Sequence, residues 1–258
     1  MSAKGIIVKP ITSSAATLVV KAHHYSEKTV NNSQLHLGVF WRDALEGVMS
    51  FGPPMDRRRV LRFVRDTPWE GMIELNRMAF SPRLPRNSES RALGVAMRMI
   101  KNKAPQIQWV LSFADATRCG DGTIYRAAGF WLTQIKANKA MLVTPGGFVF
   151  AHISFDTVAS VRNRVQQEVG PATGVADAIS RGCRALRGAM LRYIYPLRPD
   201  VKERLTVPIL PYSEIARAGV AMYRGVAPEA KSVVASSIQL EEGGADPTPA
   251  LHRPSPGA

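Results

Sequence analysis

The residues between positions 112 and 130 include the side chains of this chain that are best suited to chemistry. They follow an apolar run, Trp109–Phe113, that predicts a buried strand. Asp115 comes just past the end of this strand, in a loop, and Tyr125 lies in a short helical passage that Gly129 ends. Ligand sites favour the carboxyl ends of strands in open α/β sheets, so this carboxylate and phenol predict a site. The structural alternative is that Asp115 caps a turn and Tyr125 packs in the core.

A second pair of reactive side chains lies at the end of the first predicted helix, which begins at Thr12 or Ser13 and runs to about His23. His24 and Tyr25 follow it directly. An imidazole and a phenolate oxygen can both bind a transition metal. A single buried histidine is usually a satisfied core residue, and this interpretation stays open.

Two charged residues, Glu74 and Arg77, lie within the predicted central strand Gly71–Phe80. Buried charges require partners or a ligand. A mutual ion pair is the structural alternative, although residues three apart do not share a face of a regular strand.

A helix is predicted from Asn87 or Ser88 to about Lys103. The pattern Arg91-x-x-Gly94-x-Ala96 runs across its start. Free backbone N–H groups at a helix N-terminus bind pyrophosphate, and glycine permits close approach. The pattern alone is weak, but its position between two predicted strands strengthens it.

The charge of the chain predicts a polyanionic partner. The 258 residues carry a formal net charge of +14, with a pI of about 10.3. Nucleic acid is the default partner, and solubility is the alternative explanation. The arginines of the most basic segment suit phosphate through bidentate donation, unless they are only a solvated helix face. They are Arg57, Arg58, Arg59, Arg62 and Arg65.

The composition also bounds the architecture. Hydrophobic residues make up 45% of the chain, which suits a globular core, and we expect one domain over residues 1–225. Residues 226–258 are rich in Gly, Pro, Ser and Glu and predict a disordered tail.

The two cysteines form neither a disulfide framework nor a thiolate zinc site, and they suit a reducing cytoplasm. The sequence predicts neither a membrane span nor a signal peptide.

The sequence patterns after residue 130 are less regular. Phe130–Ala137 and Ala140–Val143 suggest a hairpin. Met190–Tyr195 and Leu205–Leu210 suggest strands, and the nearby prolines make them edge-like. The whole order predicts an α/β (α+β) fold, with a mixed, mostly antiparallel central sheet flanked by helices.

This order, β-α-β-β-β-α-β-α-β, resembles the GNAT superfamily of N-acetyltransferases. The pattern at Arg91–Ala96 resembles the pyrophosphate-binding pattern of that superfamily. Tyr125-Arg-Ala-Ala-Gly129-Phe130 resembles its Tyr-xxx-Gly-Phe segment. The resemblance implies a coenzyme site at Arg91, Gly94 and Ala96, and it implies that Tyr125 protonates the departing thiolate of coenzyme A.

A closer resemblance covers most of the first 225 residues. It is to the Mom family of bacteriophage DNA-modification proteins, and the long run Asp115–Tyr125 is its most specific part. The other matching segments are His24-Tyr25-Ser26, Ser50-Phe-Gly-Pro-Pro54, Glu74-Leu-Asn-Arg77 and Leu205-Thr-Val-Pro-Ile-Leu-Pro211. This resemblance implies an enzyme that converts adenine in duplex DNA to N6-carbamoylmethyladenine, which protects phage DNA from host restriction.

The resemblance to the Mom family also implies site residues and cofactors. It implies an iron bound by His24, Tyr25, Asp115 and Tyr125. Tyr25, Arg77, Ser90 and Asp115 match positions linked to activity. Tyr125 cannot easily be both a metal ligand and a general acid, and the ligand role is favoured. The implied donor is acetyl-coenzyme A or a glycine-derived molecule.

The implied partner is double-stranded DNA in the cytoplasm of a bacterial host, and a homodimer is left open. Two rival functions remain. One is an ordinary acetyl-coenzyme A-dependent N-acetyltransferase, which does not explain the charge. The other is a non-catalytic DNA-binding protein, which leaves Asp115, Arg77 and Glu74 without a role.

Overall fold

A computed structural model describes residues 3–24, 28–116, 122–138, 140–186 and 188–219. Tyr25, Cys119 and the predicted tail from residue 226 lie outside these ranges. The division into one domain and a tail therefore stays a prediction. Within the described ranges, no helix is both long enough and apolar enough to span a bilayer.

Ten strands are described. They are β1 (Ile7–Pro10), β2 (Leu35–Trp41), β3 (Ala44–Gly52), β4 (Met72–Phe80), β5 (Trp109–Asp115), β6 (Trp131–Asn138), β7 (Met141–Val143), β8 (Val149–Ala151), β9 (Arg184–Ala185) and β10 (Gly188–Pro196). The helices are α1 (Ser13–His23), α2 (Arg57–Leu61), α3 (Ser88–Lys103), α4 (Thr123–Ala127), α5 (His152–Thr157), α6 (Ala159–Val169), α7 (Val175–Ser180), α8 (Val201–Arg204) and α9 (Ser213–Arg217). A short 3₁₀ helix, Ala3–Gly5, precedes β1.

The main sheet has seven strands in the order β1-β2-β3-β4-β5-β10-β6. Its neighbouring strands are antiparallel except β4 and β5, which are parallel. This topology confirms the predicted mixed, mostly antiparallel sheet flanked by helices. It also follows the predicted acetyltransferase-like order of elements, with α2 added and one insertion before β10.

The parallel pair separates part-way along its length. Pairing joins Met72–Leu75 to Trp109–Ser112. Beyond these residues β4 continues to Phe80 and β5 to Asp115, each paired with its antiparallel neighbour instead. The sheet therefore opens between β4 and β5 near its middle.

Helices cover both faces of the sheet. On one face, here called the α3 face, Leu93 and Met97 of α3 share a buried cluster with Leu75 and Val110. On the opposite face, here called the α1 face, residues of α1 pack against Val48 and the other side of β4. Alternation along each strand assigns every strand residue to one of these two faces.

A three-stranded sheet, in the order β8-β7-β9, is inserted between β6 and β10. Together with α5, α6 and α7 it buries its own clusters, which include Leu142, Phe155 and Val165. The predicted hairpin of residues 130–143 is wrong, because β6 pairs with β10 and β7 pairs within this small sheet.

The predicted edge position of residues 190–195 is also wrong, since β10 lies between β5 and β6. Residues 205–210 form no strand and contribute only an isolated bridge from Leu205 to Val64. In both places the pairing partner is far away in the sequence, so local composition could not reveal it.

Gly122 shows how tightly the turn before α4 is packed. Its φ is +72°, and an added Cβ would collide with the Tyr193 hydroxyl. We expect Gly122→Ala to lower the free energy of unfolding by roughly 2 kcal/mol, through strain at positive φ and displacement of Tyr193.

Gly94→Ala is the matched control for this substitution. Gly94 lies inside α3, and an added Cβ would come no closer than 3.8 Å to Arg98 Nη1. We expect a gain of roughly 0.5–1 kcal/mol from helix propensity. Urea denaturation of both variants measures the difference, and equal changes at the two sites would contradict the packing described for Gly122.

Candidate active site

A β-bulge in β4 decides where its two charged side chains point. Ser50 pairs with Arg77 and Phe51 with Leu75, so Asn76 is an extra residue. The bulge restores Glu74 and Arg77 to the same side, the α1 face, although they are three residues apart. The sequence-based expectation that they lie on different faces is therefore wrong.

Backbone carbonyls hold the Arg77 guanidinium in place. Its Nε donates to the carbonyl oxygen of Lys28 at 2.8 Å, and its Nη1 donates to that of Asn76 at 2.8 Å. The Lys28 ammonium in turn donates to Thr157 Oγ1 of α5 at 2.9 Å. Lys28 thus links Arg77 to α5, which packs with the inserted three-stranded sheet.

The carboxyl of Glu74 and the imidazole of His24 are perturbed in opposite directions. Burial raises the pKa of Glu74 to about 7, although the positive charge of Arg77 partly opposes this. Burial and then Arg77 lower the pKa of His24 to about 4. At neutral pH the imidazole is uncharged and is a weak base, and the carboxyl is close to its titration midpoint.

Asp115 is the last residue of β5 and is only 4% exposed. Its predicted place in a loop past the strand is therefore corrected. Strand alternation puts its side chain on the α1 face, as it does for Arg77. Asn138 Nδ2 donates to Asp115 Oδ2 at 3.1 Å, and Asn138 Oδ1 accepts the N–H of Ala140. Asn138 was not predicted as a site residue, because the sequence contains no local signal for its contact with Asp115.

Tyr125 lies on the α3 face and packs in the core. It is 5% exposed and stacks on Tyr193 with the ring centroids 4.3 Å apart. Its hydroxyl is 3.0 Å from Ser112 Oγ, which donates to the Leu75 carbonyl at 3.3 Å. Because the serine proton is used in that bond, Tyr125 donates to Ser112. This packing agrees with the structural alternative for Tyr125.

The structure describes three of the four predicted iron ligands and places Asp115 and Tyr125 on different faces of the sheet. Asp115 projects from the α1 face, and His24 follows the helix that packs there, whereas the Tyr125 hydroxyl contacts Ser112 on the α3 face. Tyr25 lies outside the described residues. Within the described ranges, no cluster of three or more His, Cys, Asp or Glu residues could hold a metal ion. The iron site therefore stays a prediction, and no chemical step through iron is proposed.

The predicted coenzyme residues lie further inside α3 than the sequence suggested. The helix begins at Ser88, so the backbone N–H of Gly94 belongs to the helix interior, and Ala96 is fully buried against the sheet. The N–H groups available at the end of this helix are those of Glu89 and Ser90. The assignment of Arg91, Gly94 and Ala96 to a coenzyme stays a prediction.

A cavity of about 230 Å³ lies at this helix start. Its lining includes Arg86, Ser90, Thr123 and Ile124, so the first turns of α3 and α4 form two of its walls. Ser90 Oγ donates to the Asn87 carbonyl at 3.3 Å. Ser90 is thus placed on the α3 side of the sheet, away from Arg77.

Most of the arginines in the most basic segment are exposed. Arg58, Arg59, Arg62 and Arg65 lie on the surface of α2 and the turn after it, and Arg65 Nη2 also donates to the Glu203 carbonyl. Arg57 differs from them, because its side chain is only 17% exposed.

The arginines after residue 180 have more structural roles. Arg181 pairs with Asp177 at 2.6 Å, and Arg204 pairs with Asp200 at 2.9 Å. Arg192 is buried, with its guanidinium carbon 4.1 Å from the ring centroid of Phe63. The segment around α2 is therefore the better candidate for phosphate contact.

The family model of the Mom protein family matches residues 5–214, which include every described strand. The chain belongs to the Mom protein family. A curated relative in that family, the methylcarbamoylase mom of Escherichia phage Mu, is 42% identical over 128 residues. The match covers 49% of this chain and 53% of that protein, so the chain spans about half the length of the curated relative it matches.

Solved structures similar to this Mom family chain include two N-acetyltransferases. One is an N-acetyltransferase from Staphylococcus aureus Mu50, with 9% identity and a TM-score of 0.44, covering 75% of this chain and 99% of that one. The other is the ribosomal-protein-S18-alanine N-acetyltransferase of Escherichia coli, with 12% identity and a TM-score of 0.42, covering 74% of this chain and 94% of that one.

The raised pKa of Glu74 predicts a pH dependence of stability. The folded state binds more protons than the unfolded state between pH 4.5 and about 7, so Glu74 lowers the free energy of unfolding as the pH rises through this window. Glu74→Gln removes this loss. We expect the variant to gain on the order of 2 kcal/mol relative to wild type between pH 4.5 and 8.

Urea denaturation at several pH values measures this difference. His24 has the opposite dependence between pH 4 and 6.5, but it is present in both proteins and cancels in the comparison. Parallel stability curves for the two proteins would contradict the burial of an uncharged Glu74 carboxyl.

Proposed function

We propose that this chain is a DNA-modifying transferase that converts adenine in duplex DNA to N6-carbamoylmethyladenine. Membership of the Mom family over residues 5–214 carries this proposal, together with the 42% identity to the phage Mu methylcarbamoylase. The match to the family includes both strands that separate at the centre of the sheet. The formal net charge of +14 supports DNA as the substrate.

The opening between β4 and β5 is the proposed reaction centre. The N6 group must lose a proton when its new bond to carbon forms. Glu74, with its pKa raised to about 7, is suited to accept that proton near neutral pH. The bond from the donor carbon to its leaving group breaks in the same step, and the fixed guanidinium of Arg77 is suited to stabilise the negative charge that the leaving group takes. Asp115 lies on the same face and would orient the adenine through its carboxylate.

The target base has to leave the helix to reach this centre. The N6 group is paired and stacked inside duplex DNA, so the proposal includes base flipping, which costs a few kcal/mol. Exposed arginines around α2 would hold the backbone while the base is extruded. Their role in DNA binding is part of the proposal.

The donor is proposed to bind at the cavity between the starts of α3 and α4. Ser90 and the free N–H groups of α3 would meet a phosphate there, with Arg86 supplying positive charge. Acetyl transfer alone would leave an acyl amide on N6 and does not account for the carbamoylmethyl product. Acetyl-coenzyme A and a glycine-derived molecule therefore remain the two donor classes to be tested.

Mass spectrometry of nucleosides from cells that express the chain tests the proposed function. We expect a modified deoxyadenosine with wild type, and about a hundredfold less with Arg77→Ala, because its charge acts on the transition state. Leu18→Ala, at an exposed position of α1, is the matched control and should leave the product unchanged.

The same measurement separates the rival functions. Unmodified deoxyadenosine from wild-type cells would contradict the proposal and favour a non-catalytic DNA-binding protein. An acetylated small amine or protein without modified DNA would favour an ordinary N-acetyltransferase. A homodimer is a separate prediction, and sedimentation of the purified chain tests it.

The arginines around α2 predict a steep salt dependence of DNA binding. Each phosphate contact contributes about 0.9 to the slope of log affinity against log salt. We expect Arg58→Gln, Arg59→Gln and Arg62→Gln each to reduce the slope by up to this amount. Arg181→Gln, at a residue already paired with Asp177, is the control. Fluorescence anisotropy with a labelled duplex measures the slopes, and a flat dependence in wild type would remove DNA contact from this surface.

A further inference from the structure

A cavity of about 500 Å³ lies where β3 ends and α2 begins, and none of the roles described above uses it. Its lining includes Pro53, Met55, Arg57, Arg58 and Trp69. We call it the Trp69 cavity. Met55 is 98% exposed and Trp69 is 52% exposed. Single exposed apolar residues are common, but here a thioether and an indole flank the same opening.

Arg57 forms the cationic wall of the Trp69 cavity. Its guanidinium carbon is 5.1 Å from the centroid of the Trp69 ring, and its Nη2 is 3.6 Å from Glu70 Oε2. Its Nε is buried, and within the described residues it has no hydrogen-bond partner. A buried donor without an acceptor is costly, and an oxygen of a bound molecule could relieve that cost.

The chemistry of the cavity suits a nucleotide. A half-exposed indole offers a surface on which a base can stack, and stacking on aromatic side chains tolerates every base. The guanidinium of Arg57 and the exposed Arg58 can donate to a phosphate. The volume is within the range of sites that bind small ligands. The neighbouring arginines of α2 extend the positive charge beyond the cavity.

The Trp69 cavity is also connected to the proposed reaction centre. The Pro53 carbonyl on its wall accepts a hydrogen bond from Asn32 Nδ2 at 2.6 Å. Asn32 Oδ1 lies 3.5 Å from Asn76 Nδ2, and the Asn76 carbonyl accepts from Arg77. Hydrogen bonds therefore link the cavity wall to the residue whose carbonyl holds the Arg77 guanidinium.

We propose that the Trp69 cavity binds one unstacked nucleobase of the DNA, with the base against Trp69 and its phosphate on Arg57 and Arg58. This inference rests on the proposed function, because it takes DNA to be the substrate. The base comes from one of two sources: the target adenine, held here on its way to the reaction centre, or a neighbouring base that unstacks when the target leaves the helix.

Binding of short single-stranded oligodeoxynucleotides tests the stacking. We expect Trp69→Ala to weaken binding by about tenfold or more, and Trp69→Phe to retain most of it, because stacking needs an aromatic face. Leu18→Ala, at another exposed apolar residue, should bind like wild type. Trp69→Phe keeps an aromatic ring at this half-exposed position. It therefore still tests stacking if Trp69→Ala is less stable. Equal affinity of Trp69→Ala and wild type would overturn the proposal.

Duplexes that carry 2-aminopurine distinguish the two sources of the base. In the first arm the probe stands at the target position. Quenching by wild type that is lost in Trp69→Ala then assigns the cavity to the target adenine. The same difference with the probe beside the target assigns the cavity to a neighbouring base. A probe signal that is the same for both proteins at every position would overturn the proposal.

Two further outcomes keep this inference separate from the proposed function. Loss of oligonucleotide binding in Trp69→Ala, in a chain that produces no modified deoxyadenosine, would support the cavity and contradict the function. A change in sedimentation from dimer to monomer in Trp69→Ala, with unchanged oligonucleotide binding, would assign the apolar surface to a second copy of the chain and overturn the nucleobase proposal.

Discussion

The hydrogen bond from Ser112 to the Leu75 carbonyl marks the point on which the rest of the site depends. Both residues belong to the last pair that joins β4 to β5, and beyond them the two strands follow different neighbours. The Ser112 hydroxyl therefore donates its hydrogen bond at the place where the backbone hydrogen bonds between β4 and β5 end. Tyr125 then donates to Ser112 and stacks on Tyr193, so buried aromatic rings lie beside the opening on the α3 face.

The bulge at Asn76 prepares the other face of the same opening. It places Glu74 and Arg77 side by side, next to a segment that presents the carbonyl of Lys28. Burial favours the uncharged forms of both Glu74 and His24, so at neutral pH the imidazole is uncharged and the carboxyl is close to its titration midpoint. Carbonyl oxygens of Lys28 and Asn76 offset the cost of holding a guanidinium there.

The large positive charge of the chain is divided between structural and surface roles. Arg192 is buried against Phe63, and Arg204 links Asp200, Gln108 and the backbone of Arg65. These arginines connect β10 and α8 to the segment that follows α2. They therefore position the exposed arginines of α2, and a count of charges in the sequence cannot separate the two groups.

The sequence by itself determined the elements that depend on local signals. The limits of α1 and α3 lie close to those that the sequence predicts, and Thr12 caps α1 through its side chain. The long family-like run at Asp115–Tyr125 and the net charge led to the family and to the DNA substrate now proposed. These features could be read because each is contained in a short stretch or in the composition.

Only the tertiary structure decided which side chains meet. The bulge at Asn76 changes which face of the sheet the later side chains of β4 point to, and no residue type in this stretch predicts a bulge. The pairing of β10 between β5 and β6 joins segments separated by the inserted sheet, so β10 was expected at an edge. Asp115 and Tyr125 are close in sequence, but their side chains belong to opposite faces of the sheet. The physical reason is the same in each case: strand pairing over long distances sets the direction of a side chain, and local propensity carries no information about the partner.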